Sequence, residues 1–215
     1  MEQVHALGII EVLGIAGSIS LLAGWRLYLC VLATGIAMNA GVVPLPEHLE
    51  SLRVLANPWV MGVAGLAAFC EFFADKILWL DSAWDTVHTL IRPLGGALLS
   101  LAVVDPSDPT LQVIAFILGG SGALVAHGGK AGARAVVNAS PEPVSNAVLS
   151  TAEDAVTVGM LYLIFEYPVA AAGIAALLLV LAVVLLIVAG RILKRIFGGL
   201  FPRALQRGDG RVPPS

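Results

Sequence analysis

Charge is scarce in this chain. Only 13% of its 215 residues are Asp, Glu, Lys or Arg, while 58% are hydrophobic; an ordinary soluble domain carries about 25% charged residues. Twelve basic and fifteen acidic residues cannot cover a soluble fold with so much apolar side chain, and the same surplus of apolar residues excludes a disordered chain. Cysteine is nearly absent. Cys30 and Cys70 both lie in apolar runs, outside any CxxC or Cys/His grouping, so they read as small hydrophobes and not as a disulfide framework or thiolate metal site. Nucleophile elbow, HExxH and dinucleotide fingerprint are missing too, and no enzyme activity, metal or cofactor is expected. The N-terminus has neither the basic stretch nor the cleavage pattern of a signal peptide, so the first apolar segment is expected to be retained.

What remains is a series of apolar runs. Residues 169–190 carry no charge over 22 positions, about 33 Å of helix against a hydrocarbon core of roughly 30 Å. Pro168 opens this run and Arg191 closes it, with Tyr162 and Tyr167 at interfacial positions. Residues 144–165, 111–128, 58–80, 27–43 and 6–22 are further segments; the last two are separated by Ala23-Gly24-Trp25-Arg26. Residues 94–104 are too short to span alone, but can do so if 81–92 continues the helix through a kink at Pro93. The expected fold is all-α, a polytopic transmembrane bundle of six or seven hydrophobic segments.

The charges that exist are unevenly placed. From residue 191 onward there are six basic residues and a single acid, Asp209, and a basic tail after an apolar run is held in the cytoplasm. The tail is short, and only Phe197 and Phe201 interleave its charges, so no nucleic acid partner is expected. Residues 1–105 and 106–190 read as two membrane halves, and 191–215 as a basic cytoplasmic tail of an inner-membrane protein. A Gly-Ser pair, a basic residue, an Asn, a Pro-Glu turn and an acidic helix occur in that order in both halves. They are Gly17-Ser18, Arg26, Asn39, Pro46-Glu47 and Glu71, then Gly120-Ser121, Lys130, Asn138, Pro141-Glu142 and Glu153. Duplicated halves of inverted type are a common transporter architecture.

Charges inside apolar runs cost about 2.5–3.5 kcal/mol each at the bilayer centre, so they need partners or water. Glu71 and Asp75 are four apart on one helix face with Lys76 beside them, a set able to hold a cation or pass a proton; alternatively Asp75 and Lys76 mark the membrane exit. Glu153-Asp154 lies deep in its run, and adjacent side chains about 100° apart cannot both face one narrow seam. His127-Gly128-Gly129-Lys130 to Arg134 is glycine-rich and basic without being a Walker A loop. It reads as an anion cradle, as a topogenic cytoplasmic turn, or as a pair of cations neutralising Glu71 and Glu153. Arg26 invites the same readings. Asp81, Asp85, His88 and Arg92 make one polar stripe, expected on an interfacial amphipathic helix or a span with one wet face.

Four stretches together resemble a known family: Glu71-Phe72-Phe73-Ala74-Asp75-Lys76, Leu80 to Asp85 with His88 to Pro93, Gly128 to Arg134, and Asn138 to Pro143. The chain is similar to bacterial membrane proteins of domain of unknown function family 4126 over roughly residues 10–195. The resemblance implies a small integral membrane protein and assigns no residue a role. Function is therefore expected from the charges. The leading expectation is transport or permeation of a small polar or ionic solute, with Glu71, Asp75, Lys76, Glu153 and Asp154 along the pathway and Arg26, Lys130 and Arg134 as counter-charges or anion contacts. Handling of a lipid phosphate, or a non-transporting scaffold, are the alternatives. Membrane lipids, a small ionic solute and a second copy of the chain are the expected partners.

Overall fold

The structure is a computed structural model describing residues 9–41, 47–105, 107–137 and 143–197. The Pro141-Glu142 turn and the tail beyond Phe197 lie outside the described residues. Six α-helices follow in order: α1 (Ile9–Asn39), α2 (Pro58–Ala74), α3 (Leu78–Leu101), α4 (Pro109–Val137), α5 (Pro143–Glu166) and α6 (Pro168–Phe197), with a 3₁₀ segment at Glu47–Ala56 between α1 and α2. Among the described residues four helices, α1, α4, α5 and α6, are long and apolar enough to cross a bilayer. The protein is therefore a multi-pass membrane protein of all-α fold. α2 is apolar but has only 17 residues. α3 is long enough at 24 residues, about 36 Å, but carries charge along one face.

Local sequence sets the helix starts. Asn57 caps α2 by accepting the Trp59 N–H at 2.9 Å, and Pro58 occupies the first turn, where its missing donor is harmless. Asp108 does the same for α4, accepting from the amides of Thr110 (3.0 Å) and Leu111 (3.1 Å) just past Pro109. In the same exposed turn Asp105 accepts the Ser107 amide, which holds its carboxyl below the ordinary range.

Two expectations about segments need separate outcomes. Residues 81–101 do continue through Pro93 as one helix, α3. The runs 6–22 and 27–43 are two helical stretches that meet without a loop, joined within α1 at a kink where Arg26 takes a non-helical backbone (φ −141°, ψ 64°). The Ala23–Arg26 separator is thus a break inside a helix and not a loop. The basic glycine-rich stretch is no turn either, since α4 is helical through Val137.

α1 lies at the middle of the bundle and packs against each of the other five helices. Its Ile15, Ile19, Leu22, Leu27 and Cys30 form the core with Leu99, Val103, Met160, Leu161 and Ile164. A polar staple joins α1 to α3: Ser20 donates to the Gly96 carbonyl (2.8 Å), and Ser100 donates to that of Ala16 (3.1 Å). The outward faces are apolar, with Trp59, Val63, Leu66, Leu90, Leu94, Val113, Ile117, Leu177 and Val180 all exposed, as lipid contact requires.

Small residues allow the closest approaches. A Cβ at Gly24 would collide with the Ala123 carbonyl and lie 2.8 Å from Ala126 Cβ; one at Gly129 would sit 2.9 Å from the Cα, Cβ and carbonyl oxygen of Ala182. At Gly17, Gly62 and Gly122 a Cβ would meet nothing within 4 Å. Gly129→Ala is therefore expected to destabilise the bundle by about 1–3 kcal/mol, because backbone cannot yield as a flexible side chain does. Gly159→Ala, with nothing within 4 Å, is expected to leave stability unchanged or gain up to about 1 kcal/mol of helix propensity. Thermal unfolding of the purified variants in detergent checks both.

Candidate functional site

Five helices each send charged side chains into one buried cluster: Arg26 from α1, Glu71 with the following Asp75 from α2, Asp81, Asp85 and Arg92 from α3, Lys130 and Arg134 from α4, and Glu153 and Asp154 from α5. Arg26, Glu71, Asp75, Asp81, Arg92, Lys130 and Arg134 are all less than 5% exposed. Such burial is possible only because each charge faces opposite charge.

Arg26 gathers the largest set. Its guanidinium pairs with Asp75, donates to the Ser150 hydroxyl (2.7 Å) and carbonyl (3.0 Å), and lies 3.3 Å from Glu153 Oε2. Its Nε is 2.9 Å from Asp154 Oδ1. The two adjacent acids thus reach one guanidinium from two sides, and the expected separation into different seams does not occur. Arg92 pairs with Glu71 and, at 3.2 Å, with Asp85. Arg134 spans Asp81 (3.1 Å), Glu153 (3.2 Å) and Asp75 (3.3 Å), and donates to the Asp75 carbonyl.

Lys130 lies within this ring of arginine-held acids. Its Nζ is 3.5 Å from Glu71 Oε1, 3.5 Å from Glu153 Oε2 and 3.9 Å from Asp75 Oδ1. It also donates to the Trp25 carbonyl (3.1 Å), at the break in α1. Lys130 and Arg134 therefore act as the neutralising pair. Neither an anion cradle nor a topogenic turn describes them, since the glycines around them are helical and serve packing against α6.

Two histidines adjoin the cluster, and the hydrogen bonds of His127 fix its tautomer. Arg92 donates to His127 Nδ1 (2.6 Å), so that nitrogen holds no proton, and Nε2 faces the Asp85 carbonyl at 3.1 Å as a donor. His88 donates from Nδ1 to the Trp84 carbonyl (2.7 Å), its Nε2 pairs with the Tyr28 hydroxyl (2.8 Å), and Trp84 stacks on its ring. The cluster brings together four basic side chains and six carboxyl groups.

A small polar cavity of about 210 Å³ adjoins it between α3 and α4, lined by Asp81, Ser82, Asp85, Thr86, Thr89, Ala131 and Arg134. That is room for roughly seven waters at about 30 Å³ each. Among the described residues no three His, Cys, Asp or Glu side chains form a group that could hold a metal ion.

Of the residues singled out from sequence, Glu71, Asp75, Glu153, Asp154, Arg26, Lys130 and Arg134 meet here. Lys76 does not. Exposed, it donates to its own helix at the Phe72 carbonyl (3.0 Å) and lies over the Phe72 ring. Of the alternatives, the membrane-exit reading fits Lys76 but not the fully buried Asp75. The α3 stripe also corrects an expectation: Asp81, Asp85, His88 and Arg92 are buried against the cluster and do not lie on an interfacial surface. Their spacing was visible in the sequence; the sense of the face was not.

A multi-pass helical bundle closed around a buried ion-pair network is the class that fold and site define. Within it, the chain belongs to the DUF4126 family, a domain of unknown function, whose model matches residues 13–187. No curated protein and no solved structure matches it.

Arg92→Met would leave Glu71 and Asp85 buried without their partner, and is expected to cost about 3–5 kcal/mol. Lys76→Met should stay within about 0.5 kcal/mol of the parent. Denaturation in detergent, followed by helical circular dichroism, checks the contrast.

Proposed function

We propose that the protein is a small transport protein of a bacterial inner membrane that passes a small ionic solute across the bilayer without converting it chemically. One observation carries this reading: the buried network has two more carboxyl groups than basic side chains. Unbalanced negative charge in a low-dielectric interior draws protons or cations from water. The polar cavity between α3 and α4 supports access, because Asp81, Asp85 and Arg134 belong to both cavity and network.

The suspected duplication fits the same reading. Arg26 and Lys130, and likewise Glu71 and Glu153, are counterparts in the two sequence halves, and all four converge on the cluster. Each half contributes three helices, α1–α3 and α4–α6. Transporters built from two related halves place the solute site at the interface between them. In this reading the end of α6 is cytoplasmic, which the basic residues of its last turn, Lys194 and Arg195, support. Membrane lipids and the solute are the partners in this reading.

A second reading, a non-transporting scaffold locked by ion pairs, is favoured by the fact that each of the four cations has at least two carboxylates within 4 Å. The lipid-phosphate alternative loses Lys130 and Arg134, the two cations on which it was built, to those carboxylates.

Glu153→Gln separates the two readings. Proteoliposomes carrying a trapped pH-sensitive dye are given gradients of ammonium, potassium, sodium or acetate. Transport predicts saturable flux of one of them, absent from empty vesicles and lost in Glu153→Gln while the unfolding temperature is nearly kept. No flux in the parent, together with a variant that falls apart in detergent, overturns transport and leaves the scaffold.

A further inference from the structure

The surroundings of Lys130 have the composition of a cation site. Three carboxylates from two helices, Glu71, Asp75 and Glu153, and the backbone carbonyl of Trp25 at the α1 break face one point, occupied by the Lys130 ammonium. Carbonyls at broken helices, together with carboxylates, are the donors membrane proteins use for monovalent cations. Oxygen distances of 3.1–3.9 Å from Nζ are far beyond the roughly 2.0–2.6 Å of magnesium or calcium. A second, independent observation concerns Asp75: fully buried, its Oδ1 faces Lys130 Nζ across 3.9 Å and has no hydrogen-bond donor, while Oδ2 is held by Arg26 and Ser150. One acceptor in the cage is left over by the tethered amine.

We propose that this cage is a binding site for a free monovalent cation of ammonium size, and that the Lys130 side chain is a built-in competitor for it. The lysine reaches the site on a flexible four-carbon stem, so it can vacate by rotating about that stem. The three arginines cannot play this part, because each is fixed by planar pairing with two or more separate acids. When Lys130 withdraws, an incoming ammonium ion meets the same four oxygens, that of Asp75 now at full strength. The charge in the cage is unchanged by the exchange, so neither occupant exposes bare carboxylates to the membrane interior. This deepens the reading of the same site as a transport centre.

Binding tests it without any measurement of flux. Parent and Lys130→Met proteins are titrated in detergent with ammonium chloride, against choline chloride at equal ionic strength, following the unfolding temperature. The expected result is saturable stabilisation of Lys130→Met by ammonium and not by choline. The parent should respond to the same salt with affinity about ten-fold weaker, since the tethered amine must first be displaced. Adding Glu153→Gln should weaken both responses. If neither protein distinguishes ammonium from choline, the site does not exist. If only Lys130→Met responds and the parent is indifferent at molar salt, Lys130 is a permanent plug and the competition is overturned. Should Lys130→Met fail to fold, the parent against Glu153→Gln decides: a saturable parent response weakened by Glu153→Gln supports the site, and no response refutes it. Cation binding without flux would refute transport alone; flux without cation binding at this cage would refute this site alone.

Discussion

The structure depends on the penalty for putting charge where water is absent. Each ionised side chain at the bilayer centre costs about 2.5–3.5 kcal/mol on insertion scales, and more when isolated. Helices α1 to α5 all carry such groups, and none carries a matching partner for all of them within itself. They therefore discharge that penalty only by assembling. None of the described ion pairs involves α6; apolar from Pro168 to Gly190, it is seated against α4 where Gly129 and Gly132 meet Ala182 and Ala189. The bundle is held by two unlike means, small-residue packing on its flank and ion pairs at its centre.

Within the centre the two kinds of cation divide the work. Arginine is permanently charged and planar, and presents donors in a rigid fork. Arg26, Arg92 and Arg134 accordingly tie separate helices together, each reaching acids on at least two of them. Lysine carries a compact charge on a pliant stem, and its ammonium holds a proton that chemistry allows it to give up. Lys130 is the single lysine among them, and it occupies the place where three carboxylates and a backbone carbonyl converge. The frame is made of rigid planar groups, and its middle of a flexible one.

Much of this was legible in the sequence because charge inside a lipid-length apolar run is conspicuous. Glu71, Asp75, Glu153 and Lys130 stood out on that ground alone, and the four-residue spacing of Glu71 and Asp75 gave them a shared face. The same spacing rule explains why Lys76 points elsewhere, one residue and about 100° further round. The α3 stripe was visible but ambiguous. A polar face opposite an apolar one marks a solvated surface when the helix meets water, and a buried polar seam when it meets lipid; periodicity is identical in the two cases. Asp81, Asp85 and Arg92 are of the second kind. The break at Arg26 was not legible, since Gly24-Trp25-Arg26 between two apolar runs has the composition of a short connection. At the kink Gly24 packs against Ala123, and the Arg26 guanidinium meets five carboxylate and hydroxyl partners.

The helix that touches all its neighbours is also the one interrupted halfway along. Were the discontinuity on a peripheral helix, a bend there could be absorbed by one interface. Placed on the hub, any swivel of one half of α1 against the other must repack several contacts at once and carry the Arg26 headgroup and the Trp25 oxygen with it. Interiors packed this closely shift between discrete arrangements and do not deform by degrees. Movement in this bundle is accordingly a concerted step, with the charged centre and the helix scaffold changing together.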